Sequence, residues 1–183
     1  LEFEGGVTLH DVLTVLQRAE LVTRMAVEIE RYIVELGTEG RLIEMQLEEV
    51  VVGVIAERAA LVRDYAVDIS EPAVEGATAE LSHLDHQELL DFGRLAELLG
   101  HDRKTNSLDF PVTPRGFRAL SRVPRLPRLV AQRVVDHFGD LDAILAATDS
   151  DLEAVEGVGD ARAIEIREGL RRLQEVEVID RYP

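Results

Sequence analysis

The sequence of 183 residues contains no cysteine and no tryptophan, and aromatic residues make up only 4% of it. The lack of cysteine excludes a disulfide framework and a thiolate-bound metal. No apolar run approaches the roughly 20 residues of a membrane-spanning helix, and no signal peptide is visible. We therefore expect a cytoplasmic protein with no membrane partner.

The sequence also lacks an initiator methionine, because it begins LEFEGGVT. Its two methionines, Met25 and Met45, both lie inside helical patterns. We therefore expect this chain to be a piece of a longer protein. Residues 1–3 are interpreted as a cloning remnant at its start.

Basic residues are few and concentrated in one stretch of a chain whose formal net charge is −16. Residues 1–100 carry 21 acids against 7 arginines, a difference of −14, and residues 101–183 carry 15 acids against 13 lysines and arginines, a difference of −2. Residues 110–135 contain no acid and six arginines, which are Arg115, Arg118, Arg122, Arg125, Arg128 and Arg133. A wholly basic stretch in an acidic chain is expected to attract a polyanion locally.

Leu, Val, Glu, Arg and Ala dominate the composition, which is typical of a mostly helical protein. Apolar residues recur at steps of three and four over residues 9–36 and again over residues 43–65, and this spacing predicts two amphipathic helices. Thr8 and Asp11 have the spacing of a capping box at the first helix start. Stripes of this length predict a helical bundle or, alternatively, a coiled-coil-like spine shared between chains.

The middle of the chain is predicted to be less regular. Proline, glycine and acids break the period over residues 67–80 and predict a linker. Residues 81–99 predict a helix that ends at Gly100, and Thr113 with Pro114 predicts another helix start. The predicted domains are a long-helix spine, a linker with a short helical region and a DNA-binding domain, at residues 1–66, 67–112 and 113–183.

Two stretches of the last domain are similar at an offset of 32 residues, namely VPRLPRLVA at 123–131 and VEGVGDARA at 155–163. Thr148 and Asp151 predict a capping box before the second copy. A short helix is expected before each copy and a longer one after it, at residues 115–121, 128–138, 149–155 and 160–174. The pattern predicts an internal repeat of helix, tight hairpin and helix.

The hairpins offer a chemical function because Gly157 and Gly159 leave the backbone accessible just before a helix. Main-chain N–H groups at a helix start lack partners and carry the positive end of the helix dipole, so a phosphate fits there. An ordinary turn is the plainer interpretation of such glycines, but Ala163 and the second copy make the pattern more specific. The dinucleotide-binding fingerprint is excluded, because no strand precedes it. Asp160 would repel a phosphate unless it turns aside as an N-cap.

The hairpins resemble the helix-hairpin-helix motif, and two in tandem resemble the (HhH)2 domain, as in domain 2 of RuvA, that binds the backbone of duplex or branched DNA. Together with LQRAELVTRMAVEIERYIVELGTEGRLIEMQLEEV they resemble the C-terminal part of the DisA family of bacterial diadenylate cyclases, over nearly all of the chain. The resemblance implies an all-α fold with a helical spine followed by tandem helix-hairpin-helix motifs.

The resemblance also implies that the intact protein condenses two ATP molecules into cyclic di-AMP with Mg or Mn. The Asp-Gly-Ala and Arg-His-Arg motifs of the family's cyclase domain do not occur in this sequence. We therefore expect no catalytic residue and no cofactor in this chain, which would sense DNA and restrain a distant cyclase. The implied partners are DNA and further copies of the protein, assembled mainly through the missing cyclase domain, in the nucleoid of a bacterial cytoplasm.

The residues predicted to contact DNA are Arg118, Arg122, Arg125, Leu126, Pro127 and Arg128 in the first hairpin and Gly157, Val158, Gly159, Ala161 and Arg162 in the second. His83 and His86 form an HxxH pattern, but no third ligand accompanies them, so we expect no metal site. The strongly acidic composition leaves an alternative function open, namely a helical module for protein interaction or oligomerisation without DNA binding.

Overall fold

The computed structural model describes residues 7–35, 40–104 and 108–181, with side chains as far as residue 175. Within these residues the chain forms ten helices and no strand, apart from one isolated β-bridge between Thr8 and Pro111. The predicted all-α class is thus confirmed. The helices are α1 (Leu9–Ile33), α2 (Gly40–Tyr65), α3 (Glu71–His83), α4 (His86–Leu90), α5 (Phe92–Leu98), α6 (Phe117–Ser121), α7 (Arg128–Phe138), α8 (Leu141–Ala146), α9 (Asp149–Glu153) and α10 (Asp160–Arg181).

The chain divides into two compact units, a first unit at Leu1–Val112 and a second unit at Thr113–Pro183. In the first unit α1 and α2 pack against each other as the sequence predicts, and Thr8 and Asp11 form the predicted capping box. Residues 1–3 and Leu36, the predicted last residue of the first helix, lie outside the described residues. The core of the first unit includes Leu9, Leu13, Leu16, Leu61, Val62, Val74, Leu81, Leu89, Leu95 and Leu99.

The linker predicted for residues 67–80 is wrong, because most of this segment lies in α3. Pro72 lies in the first turn of α3, where its missing N–H group costs no helical hydrogen bond. Val74 and Leu81 are buried in the core, and this burial stabilises a helix that the local composition disfavours.

The single helix predicted for residues 81–99 is also wrong, because the segment contains the end of α3 and the two short helices α4 and α5. Asp85 accepts hydrogen bonds from the amides of Gln87 and Glu88, each at 2.8 Å, and so begins α4. Asp91 begins α5 in the same way. The predicted stop at Gly100 is confirmed, since this residue has a φ of 82° just after α5.

The C-terminal half of α1 and the N-terminal half of α2, here called their outer halves, expose many apolar side chains, and some of these belong to the stripes that the sequence predicts. Met25, Tyr32, Met45 and Val52 are each more than 60% exposed. Other exposed apolar side chains on these two helices are Val22, Val27, Ile29, Leu42, Ile43, Val50 and Ile55. The core of the first unit therefore covers only part of its longest helices.

A buried ion network joins α1 to α2, and no periodicity in the sequence indicates it. Glu20 and Arg58 are only 2% and 6% exposed, and the two side chains pair across the helices. Arg24 Nε also donates to Glu20 Oε1 at 2.8 Å, and its Nη2 donates to the carbonyl of Leu84 at 2.8 Å. Because Leu84 directly follows α3, the network connects three helices of the first unit.

We expect Arg58→Met to lower the free energy of unfolding by about 3 kcal/mol, because it removes a partner of a buried carboxylate. Urea denaturation at neutral pH measures this loss. The control is Arg31→Met, which breaks the solvent-exposed pair of Arg31 with Glu28 and should leave the urea midpoint almost unchanged. Equal losses in the two variants would contradict a stabilising role for the network.

The second unit contains α6 to α10 around its own core. The helix start predicted at Thr113 and Pro114 is wrong, because α6 begins at Phe117 after Gly116, whose φ is 110°. The Pro114 carbonyl instead accepts a hydrogen bond from the amide of Leu141, the first residue of α8, at 2.9 Å. The sequence patterns also missed α8. The core includes Phe117, Leu120, Val123, Val130, Ala131, Val134, Val135, Ile144, Leu152, Val155, Val158, Ala163, Ile166 and Leu170.

Candidate nucleic-acid interface

Two turns of the second unit have the same backbone pattern at the offset of 32 residues. The first turn, residues 122–127, joins α6 to α7, and the second turn, residues 154–159, joins α9 to α10. Each turn has the same two backbone hydrogen bonds. In the first turn the amide of Val123 donates to Leu120 O and the amide of Leu126 donates to Val123 O. In the second turn the amide of Val155 donates to Leu152 O and the amide of Val158 donates to Val155 O. The structure therefore contains the internal repeat that the sequence predicts.

Both turns pass through the left-handed region of the backbone at the same position. The residue there is Arg125, with a φ of 60°, in the first turn and Gly157, with a φ of 90°, in the second. Arg125 is the one non-glycine residue with positive φ in the described part of the chain. Gly159 is not in the left-handed region, and an added Cβ there would meet nothing within 4 Å. The backbone conformation at Gly157 therefore favours glycine, whereas the conformation at Gly159 also suits a residue with a side chain.

The helix that follows each turn begins with amides that have no hydrogen-bond acceptor in that helix. In α7 the first donated bonds come from Val130 and Ala131 to the carbonyl of Pro127, at 2.9 and 3.0 Å. In α10 they come from Arg162 and Ala163 to the carbonyl of Gly159, both at 2.9 Å. The amides just before these donors have no acceptor within the helix.

Asp160 is the first residue of α10, and Gly159 holds the cap position. Asp160 is therefore not the N-cap that would turn its carboxylate aside. Its side chain is exposed in the first turn of the helix. A negative charge at this position interacts favourably with the positive end of the helix dipole, but it repels a phosphate at the same place.

The two turns differ in charge. Arg122, Arg125 and Arg128 all have exposed side chains around the first turn, where the stretch contains no acid. Arg118, on α6, is partly buried. The second turn instead contains Glu156 and is flanked by Glu153 and Asp160, and all three acids are exposed. The first turn therefore carries the stronger attraction for an anion.

Two arginines near the second turn bind its carbonyl groups. Arg162 Nη1 donates to the carbonyl of Gly157. Arg133 Nη1 donates to the carbonyl of Glu156 at 3.2 Å and lies 3.6 Å from Glu156 Oε1. Arg133 is therefore turned toward the protein, although the sequence groups it with the other arginines of the basic stretch.

Four further residues of the predicted interface have unequal exposure. Pro127 and Ala161 are exposed at the two helix starts. Leu126 is half-buried and Val158 is 6% exposed, and both pack against the core of the second unit. These two side chains therefore anchor the turns to the core.

The HxxH histidines belong to two different helices, since His83 ends α3 and His86 begins α4. His83 Nδ1 donates to the carbonyl of Ala79 at 2.7 Å. Among the residues that the structure describes, no group of three or more His, Cys, Asp or Glu side chains could hold a metal ion.

The fold defines an all-α protein in which long helices are followed by a repeated pair of shorter ones. A family model described as the DisA bacterial checkpoint controller linker region matches residues 1–108. The chain therefore belongs to the DisA family. Within the described ranges, no helix has both the length and the apolar composition needed to span a bilayer.

Curated relatives match over the whole of this chain. The DNA integrity scanning protein DisA of Streptomyces coelicolor is 49% identical over 188 residues, which cover 50% of that protein. The proteins of the same name from Frankia alni and Acidothermus cellulolyticus are 49% and 48% identical over 183 and 185 residues, and the match covers 51% and 50% of them. The chain thus spans about half the length of the curated relatives that it matches.

The predicted capping box of α9 is present, because the Thr148 hydroxyl accepts from the Asp151 amide and the Thr148 amide donates to Asp151 Oδ2 at 2.9 Å. Hydrogen bonds from the Thr148 hydroxyl and then its amide hold the pKa of the Asp151 carboxyl below the ordinary value, and His137 adds a smaller attraction. This contribution to stability is complete above the unfolded-state pKa and is lost as the pH falls through the folded-state pKa.

We expect Thr148→Val to raise the pKa of Asp151 toward its ordinary value and to reduce the loss of stability as the pH falls below that ordinary value. An NMR titration of the side-chain carboxyl carbon measures the pKa directly. Thr8→Val, which changes the matching box of the first unit, should leave the Asp151 titration unchanged. An unshifted Asp151 pKa in Thr148→Val would mean that the hydroxyl does not stabilise the carboxylate.

Proposed function

We propose that the second unit binds the phosphate backbone of duplex or branched DNA through two helix-hairpin-helix motifs, without reading base sequence. The observation that carries this proposal is the repeated turn, which opens two helix starts to solvent in the same backbone conformation. Amides at a helix start bind phosphate oxygens, and such contacts carry no information about the bases.

The arginines of the first turn support the proposal. The side chains of Arg122, Arg125 and Arg128 are exposed on a stretch without any acid, in a chain that is otherwise acidic. Because cation–phosphate contacts release counterions from DNA, they supply most of the affinity in sequence-independent binding. The second turn, which is flanked by acids, then contributes through its backbone amides.

The role in the intact protein follows from the family. Relatives named DNA integrity scanning protein DisA match the whole of this chain with about half of their own length. We infer that the remaining part is a cyclase that makes cyclic di-AMP from two ATP molecules with Mg or Mn, and that DNA bound by the second unit regulates it. This chain would be its DNA-sensing part in the bacterial nucleoid.

A second candidate function is an interaction or oligomerisation module. The exposed apolar side chains on the outer halves of α1 and α2, among them Met25, Tyr32 and Met45, favour this alternative. Analytical ultracentrifugation with and without junction DNA separates the two functions. Self-association without any complex with DNA would support the alternative.

We expect the double variant Arg125→Ala and Arg128→Ala to weaken binding about equally for unrelated DNA sequences. The slope of log affinity against log salt should become shallower by roughly one unit for each phosphate that the protein no longer neutralises. Fluorescence anisotropy with labelled junction and duplex DNA at several salt concentrations measures both quantities. The control is Arg31→Ala in the first unit, which should leave both the affinity and the salt slope unchanged. A loss of affinity that depended on the base sequence would contradict recognition of the DNA backbone.

We expect Gly159→Ala to weaken DNA binding while the free protein keeps its helix content and unfolding midpoint. The added methyl meets no protein atom and would occupy the space through which a phosphate reaches the start of α10. Gly53→Ala, at another glycine where an added Cβ meets nothing, is the matched control and should bind like the parent chain. Unchanged affinity in Gly159→Ala would exclude the second turn as a phosphate site.

A further inference from the structure

The guanidinium of Arg133 contacts the second turn although Arg133 itself lies on α7, the helix that follows the first turn. Its Nη1 donates to the carbonyl of Glu156 at 3.2 Å and pairs with the Glu156 carboxylate at 3.6 Å. The same nitrogen would lie 3.3 Å from a Cβ added at Gly157. The first half of the repeat therefore contributes a side chain to the turn of the second half.

This contact orients a peptide group of the second turn. The peptide bond between Glu156 and Gly157 is trans, so its C=O and N–H groups point in opposite directions. When the Glu156 carbonyl is bonded to Arg133, the N–H of Gly157 is directed away from Arg133. Gly157 is exposed, so a ligand can approach this peptide group from solvent.

The repeat shows that the position of Arg133 has a counterpart. The residue 32 positions later is Glu165 on α10, which lines a cavity of about 200 Å3 together with Arg172 of the same helix and with Pro124 and Arg125 of the first turn. The counterpart residues Arg133 and Glu165 thus each lie near the turn of the other half, and they carry opposite charges. Arg133 lies beside the acidic second turn, and Glu165 lies beside the basic first turn.

We propose that Arg133 is a positioning residue for DNA binding, which acts by holding the Glu156 carbonyl and not by contacting a phosphate. The proposal rests on the function proposed above for the second turn. It distinguishes Arg133 from the other five arginines of the basic stretch, and its role depends on contacts within the second unit.

Salt dependence separates a positioning residue from a phosphate contact. We expect Arg133→Met to lower the affinity for junction DNA by roughly 3- to 10-fold, about the effect of one hydrogen bond, with an unchanged slope of log affinity against log salt. Arg128→Met, at the exposed start of α7, should make the slope shallower by about one unit. The proposal is overturned if Arg133→Met makes the slope shallower to the same extent.

A measurement on the free protein tests the contact without any DNA. In a 15N-labelled sample, Arg133→Met should shift the amide resonances of Gly157 and Val158 and lower their heteronuclear NOE, whereas Arg128→Met should not. Arg133→Gln, which adds no apolar surface, should give the same result. Unmoved Gly157 and Val158 resonances would overturn the positioning role. A chain that showed these shifts but bound no DNA would refute the proposed function and leave the contact established.

A double-mutant cycle with Gly159→Ala completes the test. If Arg133 acts through the second turn, Arg133→Met should cost little further affinity once Gly159→Ala has blocked that turn. Fully additive losses would mean that Arg133 acts elsewhere and would overturn the proposal.

Discussion

The second unit depends on one backbone constraint, which is that a chain reversing between two packed helices within six residues enters the left-handed region at the fourth of them. Arg125 and Gly157 meet this constraint at equivalent positions. The reversal directs an apolar residue on each side of them into a shared core and leaves the following helix start facing solvent. The amides that would bind phosphate are therefore a direct consequence of how the turns close.

The features that the sequence predicted well are those determined by neighbours along the chain. The capping boxes of α1 and α9 need two residues three positions apart, and the repeat needs only local similarity at a fixed offset. The prediction failed where tertiary packing outweighs local propensity. Pro72 lies in the segment that the composition predicts to be a linker, but it fits the first turn of α3, and burial of Val74 and Leu81 stabilises the rest.

The candidate site could be predicted only in outline for a related reason. The spacing of arginines shows where positive charge accumulates, but it does not show which guanidinium is turned inward. Arg133 and Arg162 bind carbonyls of the second turn, and the first of these contacts joins residues 23 positions apart. The ion pair of Glu20 with Arg58, at a separation of 38 residues, escaped prediction in the same way. Charge pairing over such distances depends on the finished fold.

The left-handed backbone of Arg125 has a consequence for the stability of the first turn. A residue with a Cβ in this region costs about 1 kcal/mol relative to glycine. Glycine at 125 would therefore give a more stable chain with one positive charge fewer, and glycine at 157 has that advantage already. The first turn therefore carries an additional positive charge at a cost in folding stability, whereas the second turn has the more stable backbone and no charge at this position.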